Sequence, residues 1–141
     1  MIVLMTEEQS MRATLQLLIR RNFPEAVEGV DWLVRAFQGK QDLERRLLDA
    51  LQNWSFGEPH FVVIRDEDSG ECRAIKANLT ELVQSSGRAV TVRIVCKELE
   101  SWLLGDDVAV KTAYPRARIS SKTAKYRFPD RLVNASQELG R

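Results

Sequence analysis

The sequence predicts an α/β fold: a parallel sheet of four strands with helices on its faces. Three observations predict it. Short apolar runs alternate with stretches of helical periodicity, glycine, proline and serine punctuate the alternation, and the helical stretches are long enough for parallel crossovers. Ile2 to Met5 is the first apolar run, and behind it Met11, Leu15 and Leu18 recur at one-face helical spacing. Asp31 to Phe37 is the second strand. After Gly39, Leu43, Leu47, Leu48 and Leu51 with Trp54 mark a second amphipathic helix. Gly57 and Pro59 break the chain before the third strand, His60 to Ile64. Ile75, Leu79, Leu82 and Val83 then give a third helix one buried face, and Ser85-Ser86-Gly87 ends it. Val90 to Cys96 is the fourth strand. Beyond it Lys97 to Leu104 reads as a short helix stopped by Gly105, and Asp106 or Asp107 caps another that runs to about Tyr114. After Pro115 regular structure fades.

A chain of 141 residues with 44% hydrophobic content has the size and apolar content of one ordinary domain. The expected organisation is a single domain over 1–141, with 105–141 a less regular, basic segment. A net charge of +1 excludes a global field that would attract nucleic acid or an acidic partner, so any charge argument is local. Cys72 and Cys96 with the lone His60 cannot make an ordinary structural zinc site, and they suit a reduced, cytoplasmic protein. The start of the chain has neither a basic n-region nor an apolar run of membrane length. Neither export nor a membrane partner is expected.

The apolar strand ending at Ile64 empties into Asp66 and Asp68, spaced i, i+2. In open parallel sheets, ligands bind at the carboxyl ends of strands, beside the point where strand order reverses. The usual four-strand order, second-first-third-fourth, makes the first and third strands neighbours. It brings Glu7 and Glu8 to the edge where Asp66 and Asp68 lie, with Glu98 and Glu100 following from the fourth strand. Clustered carboxylates repel unless a cation relieves the charge. An all-oxygen donor set favours Mg²⁺ or Mn²⁺ over zinc, and phosphodiester chemistry is the obvious use. The plainer reading is that these acids charge the N-terminus of the third helix, worth under about 1 kcal/mol each. That reading is preferred for Glu71, and metal binding for Asp66 and Asp68 with Glu7.

From Lys111 to Arg131 there are seven basic residues against one acid, Asp130. Two readings stand side by side, a solvated tail and a phosphate-binding surface. Tyr114, Tyr126 and Phe128 among the cations suit bases and phosphates together, so RNA or DNA is the expected partner. Lys122, Lys125 and Arg127 are candidate contacts. Lys40 is another, although Gly39-Lys40 lacks the rest of a phosphate-loop motif. His60, at the opposite end of its strand, reads as structural, and Cys72 as a small packing residue. Trp32, Trp54 and Trp102 read as core.

A strand followed by Glu7, and later Asp66-x-Asp68-Ser69-Gly70-Glu71, resembles the Toprim signature. Thr6-Glu7-Glu8-Gln9-Ser10-Met11, Gly39-Lys40, Ile64 to Asp68 and especially Arg93 to Asp106, with its Glu98-x-Glu100-x-Trp102, resemble the Toprim-like bacterial family catalogued as domain of unknown function 4276. Lys125-Tyr126-Arg127 with Pro129-Asp130 is similar to that family's downstream lysine and tyrosine region. The resemblance covers nearly the whole chain. It implies a Toprim/Rossmann-like sheet and a Mg²⁺-dependent, nuclease-like site, with Glu7 as general acid or base and Asp66 and Asp68 as metal ligands. It also implies a role in phage defence beside an ATPase partner. Glu8 departs from the family's usual glycine, and relatives usually continue past Arg141, so a fragment or short variant is expected. The alternative expectation is a non-catalytic subunit that docks a partner ATPase or nucleic acid. A phospho-receiver would need a fifth strand followed by a lysine, and the sequence offers none.

Overall fold

The computed structural model describes residues 1–132 and 134–139. The part of the expected C-terminal segment that falls on Val133, Gly140 and Arg141 lies outside the described residues. The chain divides into two compact units, one of Met1–Arg65 with Arg73–Ile94, the other of Asp66–Cys72 with the described residues from Val95 onward.

The first unit is built on a four-stranded parallel sheet in the expected order, β2-β1-β3-β4. The elements are β1 (Ile2–Thr6), α1 (Gln9–Asn22), β2 (Trp32–Ala36), α2 (Lys40–Gln52), β3 (His60–Asp66), α3 (Cys72–Gln84) and β4 (Val90–Val95). In register, Ile2 lies opposite both Trp32 and His60, and Thr6 opposite both Ala36 and Ile64. Strand side chains alternate between faces. Val3, Met5, Phe61, Val63 and Val92 therefore share a face, and on it Leu43, Leu47 and Leu51 of α2 and Leu79 and Val83 of α3 close the main core. The i, i+4 spacing of the leucines is what lets α2 lay a single stripe on the sheet. In α1 Met11 and Leu15 are buried, but the expected stripe does not continue through Leu18, which is 40% exposed.

Glycine does necessary work at the start of α2. Gly39 has φ 92° and ψ 172°, a region essentially closed to side chains, and its amide donates to the Glu7 carbonyl at 2.9 Å. The turn between β2 and α2 is thereby latched to the end of β1, as is Phe37, whose amide donates to the Thr6 carbonyl at 2.9 Å.

The described residues of the second unit form three short α-helices, α4 (Glu100–Leu104), α5 (Asp107–Ala113) and α6 (Ala135–Leu139), and two single-turn 3-10 helices, Ala124–Tyr126 and Pro129–Arg131. Asp106 caps α5 as expected, its carboxylate accepting from the Ala109 amide at 2.9 Å. Leu104, Val110, Ile119 and Ala135 form a small core of their own. The last helix is a departure from the sequence reading, in which a helix beginning at Asn134 has no length to complete itself. Five residues cannot hold a helix by propensity, and α6 is held by burial of Ala135 in that core and of Glu138 against Lys125 and Tyr126. The tryptophans also divide. Trp32 is buried and Trp54 packs edge-on against Phe61 at 5.4 Å, whereas Trp102 is 46% exposed. Among the described residues no helix is long and apolar enough to cross a membrane.

Candidate functional site

β1 and β3 are parallel neighbours, so both run out at one edge of the sheet, β1 into Glu7 and β3 through Arg65 into Asp66. Register explains the surroundings of Glu7. Counting one step past the Thr6–Ile64 pair sets Glu7 beside Arg65, and the two are both about nine-tenths buried. The Arg65 Nε lies 3.8 Å from Glu7 Oε2, and its Nη1 is in close ion-pair contact with Glu44 on α2. The contact to Glu7 is an ion pair longer than a hydrogen bond, so Arg65 offsets the charge of the buried Glu7 while its tighter contact is to the half-exposed Glu44. Asp66, one residue further, has the opposite strand parity from Arg65.

In the second unit, Asp66 is buried and Asp68 half-buried. Asp68 has φ 52° and Lys97 φ 59°, left-handed conformations rare for residues other than glycine, and the Asp68 amide donates to the Lys97 carbonyl at 2.8 Å. Glu67 secures this pair. Its Oε2 accepts from the Lys97 amide at 3.0 Å and lies 3.3 Å from the Lys97 ammonium. The Lys97 amide, ahead of its ammonium, holds the Glu67 carboxyl below the usual carboxylate range, against an opposing push from burial. The Glu67 amide in turn donates to the Val95 carbonyl at 3.0 Å. Thus Glu67 and Asp68, just past Asp66 at the end of β3, are held by Val95 at the end of β4 and by Lys97 beyond it.

The remaining acids are placed as follows. Glu8 is exposed, its carbonyl accepts the Arg12 amide at 3.2 Å, and its carboxylate accepts from the Ser10 hydroxyl. Glu98 is half-buried and accepts the Ser136 amide at 2.8 Å, which ties it to α6. Glu100 opens α4. Among the described residues no group of three or more histidine, cysteine, aspartate or glutamate side chains stands close enough to hold a metal ion. A pair of carboxylates nevertheless suits Mg²⁺, which retains waters and commonly binds through one or two carboxylates with substrate phosphate. Asp66, at the end of β3, and Asp68, on the pinned residues that follow it, are the pair whose donor chemistry fits it.

The candidate phosphate contacts also differ among themselves. Lys40 is exposed at the first position of α2, and Lys122 and Arg127 are exposed in the second unit. Lys125 is engaged within the fold. Its ammonium lies 2.7 Å from Glu138 Oε2, which raises its pKa, and 5.3 Å from the centre of the Tyr126 ring, while the Tyr126 hydroxyl donates to the same carboxylate at 2.7 Å. Sequence reasoning missed Arg65, Glu44, Glu67 and Lys97. Register alone, carried one residue past Thr6, would have found Arg65; the Glu67–Lys97 clasp depends on two left-handed residues that no spacing rule announces. No family model, curated protein or solved structure matches the chain.

Proposed function

We propose that the chain is a Toprim-like, Mg²⁺-dependent phosphodiester-cleaving protein acting on RNA or DNA. The observation that carries the reading is the strand order, which makes β1 and β3 parallel neighbours and sends Glu7 and the Asp66-x-Asp68 run out from the carboxyl ends of adjacent strands. Asp66 and Asp68 would hold the ion, and its chemistry would be to activate water and to neutralise charge on the phosphate oxygens. Glu7 would serve as the general acid or base, its carboxylate taking up and giving back a proton. Arg65 fixes the orientation of Glu7. Glu67, through Lys97, holds the backbone on which the two aspartates sit. Lys40, Lys122 and Arg127 are exposed cations suited to the flanking phosphates. Free Cys72 and Cys96 are consistent with a reducing, cytoplasmic setting.

A second reading has an observation of its own. Trp102, Leu103 and Val108 are exposed on α4 and α5, 46%, 43% and 71% respectively, which suits a surface that docks a partner such as the ATPase of a phage-defence system. One set of measurements separates the two. With labelled RNA and DNA and added Mg²⁺, wild type cleaves, while Glu7→Gln and the Asp66→Asn/Asp68→Asn variant do not. Mg²⁺ at a hundred times its Kd stabilises the wild type by about 2.7 kcal/mol and leaves the double variant unshifted. A Mg²⁺ shift without cleavage supports the docking reading. Cleavage by wild type and Glu7→Gln at equal rates removes Glu7 from the chemistry.

A further inference from the structure

The first unit holds a cavity of about 730 Å³ that the carboxyl edge of the sheet does not use. It lies between β2, which ends the sheet on that side, and α2. Leu33 and Arg35 alternate on β2, and Arg46, Asp49 and Ala50 recur at three- and four-residue spacing on α2, with Asn53 just past its end, so each element turns one face to it. These α2 residues fall between the leucines that build the core, which is why the helix closes the sheet along one stripe and leaves this space along the next. Its volume is that of a small-molecule site.

The lining is mixed in a particular way. Leu33 and Ala50 supply an apolar floor. Trp54 supplies a fixed wall: its Nε1 donates to the Phe56 carbonyl at 2.9 Å, its ring meets Phe61 edge-on at 5.4 Å, and its carbonyl accepts from Arg88 at 3.0 Å. Phe56 stands at the rim, 75% exposed, a large apolar ring left in water. Two guanidiniums face the same space. Arg35 is exposed and its side chain makes no ion pair or hydrogen bond among the described residues. Arg46 lies 3.6 Å from Asp42, but that carboxylate is more tightly engaged by Arg45 at 2.9 Å and by the Gln38 amide at 3.2 Å.

From this combination we infer that the β2–α2 cavity binds a nucleoside monophosphate. Two guanidiniums lining one space suit a phosphate, because each is a permanent charge whose planar fork of N–H donors can bond two phosphate oxygens. An aromatic wall and rim take the flat face of a base. The Asp49 carboxylate on α2 and the Asn53 amide just past its end offer an acceptor and a donor–acceptor pair for ribose hydroxyls or the edge of the base. Neither an inorganic anion nor an apolar molecule uses all three features. The cavity also involves Met1, Gly29 and Leu33, by the starts of β1 and β2, at the sheet end opposite Glu7. It is a site separate from Glu7 and shares no residue with the proposed metal pair.

Calorimetric titration of the full chain with adenylate, guanylate, cytidylate and uridylate, and separately with adenosine and inorganic phosphate, tests the inference. At least one nucleotide binds saturably, one per chain, and about tenfold or more tighter than phosphate or nucleoside alone. Arg35→Ala, Arg46→Ala and Phe56→Ala each weaken it by about tenfold, while Glu7→Gln and Asp66→Asn leave it unchanged. The three substituted side chains are exposed, so unaltered melting by circular dichroism accompanies the loss, and Arg35→Lys retains part of the affinity. Absence of saturable binding at millimolar nucleotide overturns the inference. So does unchanged binding by the Arg35→Ala/Arg46→Ala variant, or phosphate binding as tightly as any nucleotide.

Discussion

Arg65 is the residue on which the charge balance of the carboxyl edge turns. Removing one partner from a buried ion pair leaves the other charge in a poor solvent, a larger loss than the pair's net contribution. Arg65→Leu is expected to destabilise the first unit by about 3 kcal/mol, and Glu7→Gln in the same chain to return part of that loss. Chemical denaturation of the two single variants and the double variant gives the coupling directly, and strict additivity would remove the Glu7–Arg65 interaction from this account. Glu67 acts in the second unit through its lowered pKa. A carboxyl whose folded pKa lies below its unfolded value contributes stability above the unfolded pKa and loses it as pH falls through the folded one. Glu67→Gln is therefore expected to cost about 1 kcal/mol near neutral pH. The difference from wild type should close in acid, below the ordinary glutamate range. A gap that stays constant with pH would show that the carboxylate's charge plays no part.

At the level of elements, Gly39 joins β1, β2 and α2 through one conformation. Nothing stands within 4 Å of where a Cβ would sit, so Gly39→Ala tests backbone conformation without steric clash. The expected cost is about 1–3 kcal/mol, read from urea midpoints at unchanged slope. The periodic elements were legible in the sequence because period and burial coincide in them. Leu43, Leu47 and Leu51 announce α2, and the continuous runs before Glu7 and Asp66 announce two buried parallel strands. Elements that depend on distant partners were not. α6 forms because Ala135 and Glu138 find their places against residues many positions earlier, and local pattern carries no trace of that. The candidate site divides in the same way. Glu7 and Asp66 follow from strand ends and strand order, but Arg65 needed the exact pairing partner, and the left-handed Asp68 and Lys97 needed the fold itself.

At the level of the molecule, each of the two units has an apolar core among its described residues, with its own sensitive positions. Leu47 is fully buried in the first and Ile119 is 3% exposed in the second. Leu47→Ala is expected to cost about 2–5 kcal/mol, and Ile119→Ala a comparable amount in a smaller core. Hydrogen exchange resolves where each loss is felt: Leu47→Ala should speed the amides of β1 and β3, and Ile119→Ala those of α5. Faster exchange of β1 in the second variant with α5 unaffected would contradict the assignment of Ile119 to its core. The place of β1 inside the sheet has a further consequence, in time. β1 is made before both of its neighbours, yet one of its two hydrogen-bonding edges is matched by β2 and the other only by β3, where Ile2 meets His60. During synthesis the carboxyl-edge glutamate is thus made long before its arginine neighbour, and half of β1 must wait with its amides unmatched. Pairing across such sequence distance is intrinsically slow. A nascent chain stalled before Phe61 would expose an apolar strand edge open to pairing with other chains, and demand for chaperones should peak there.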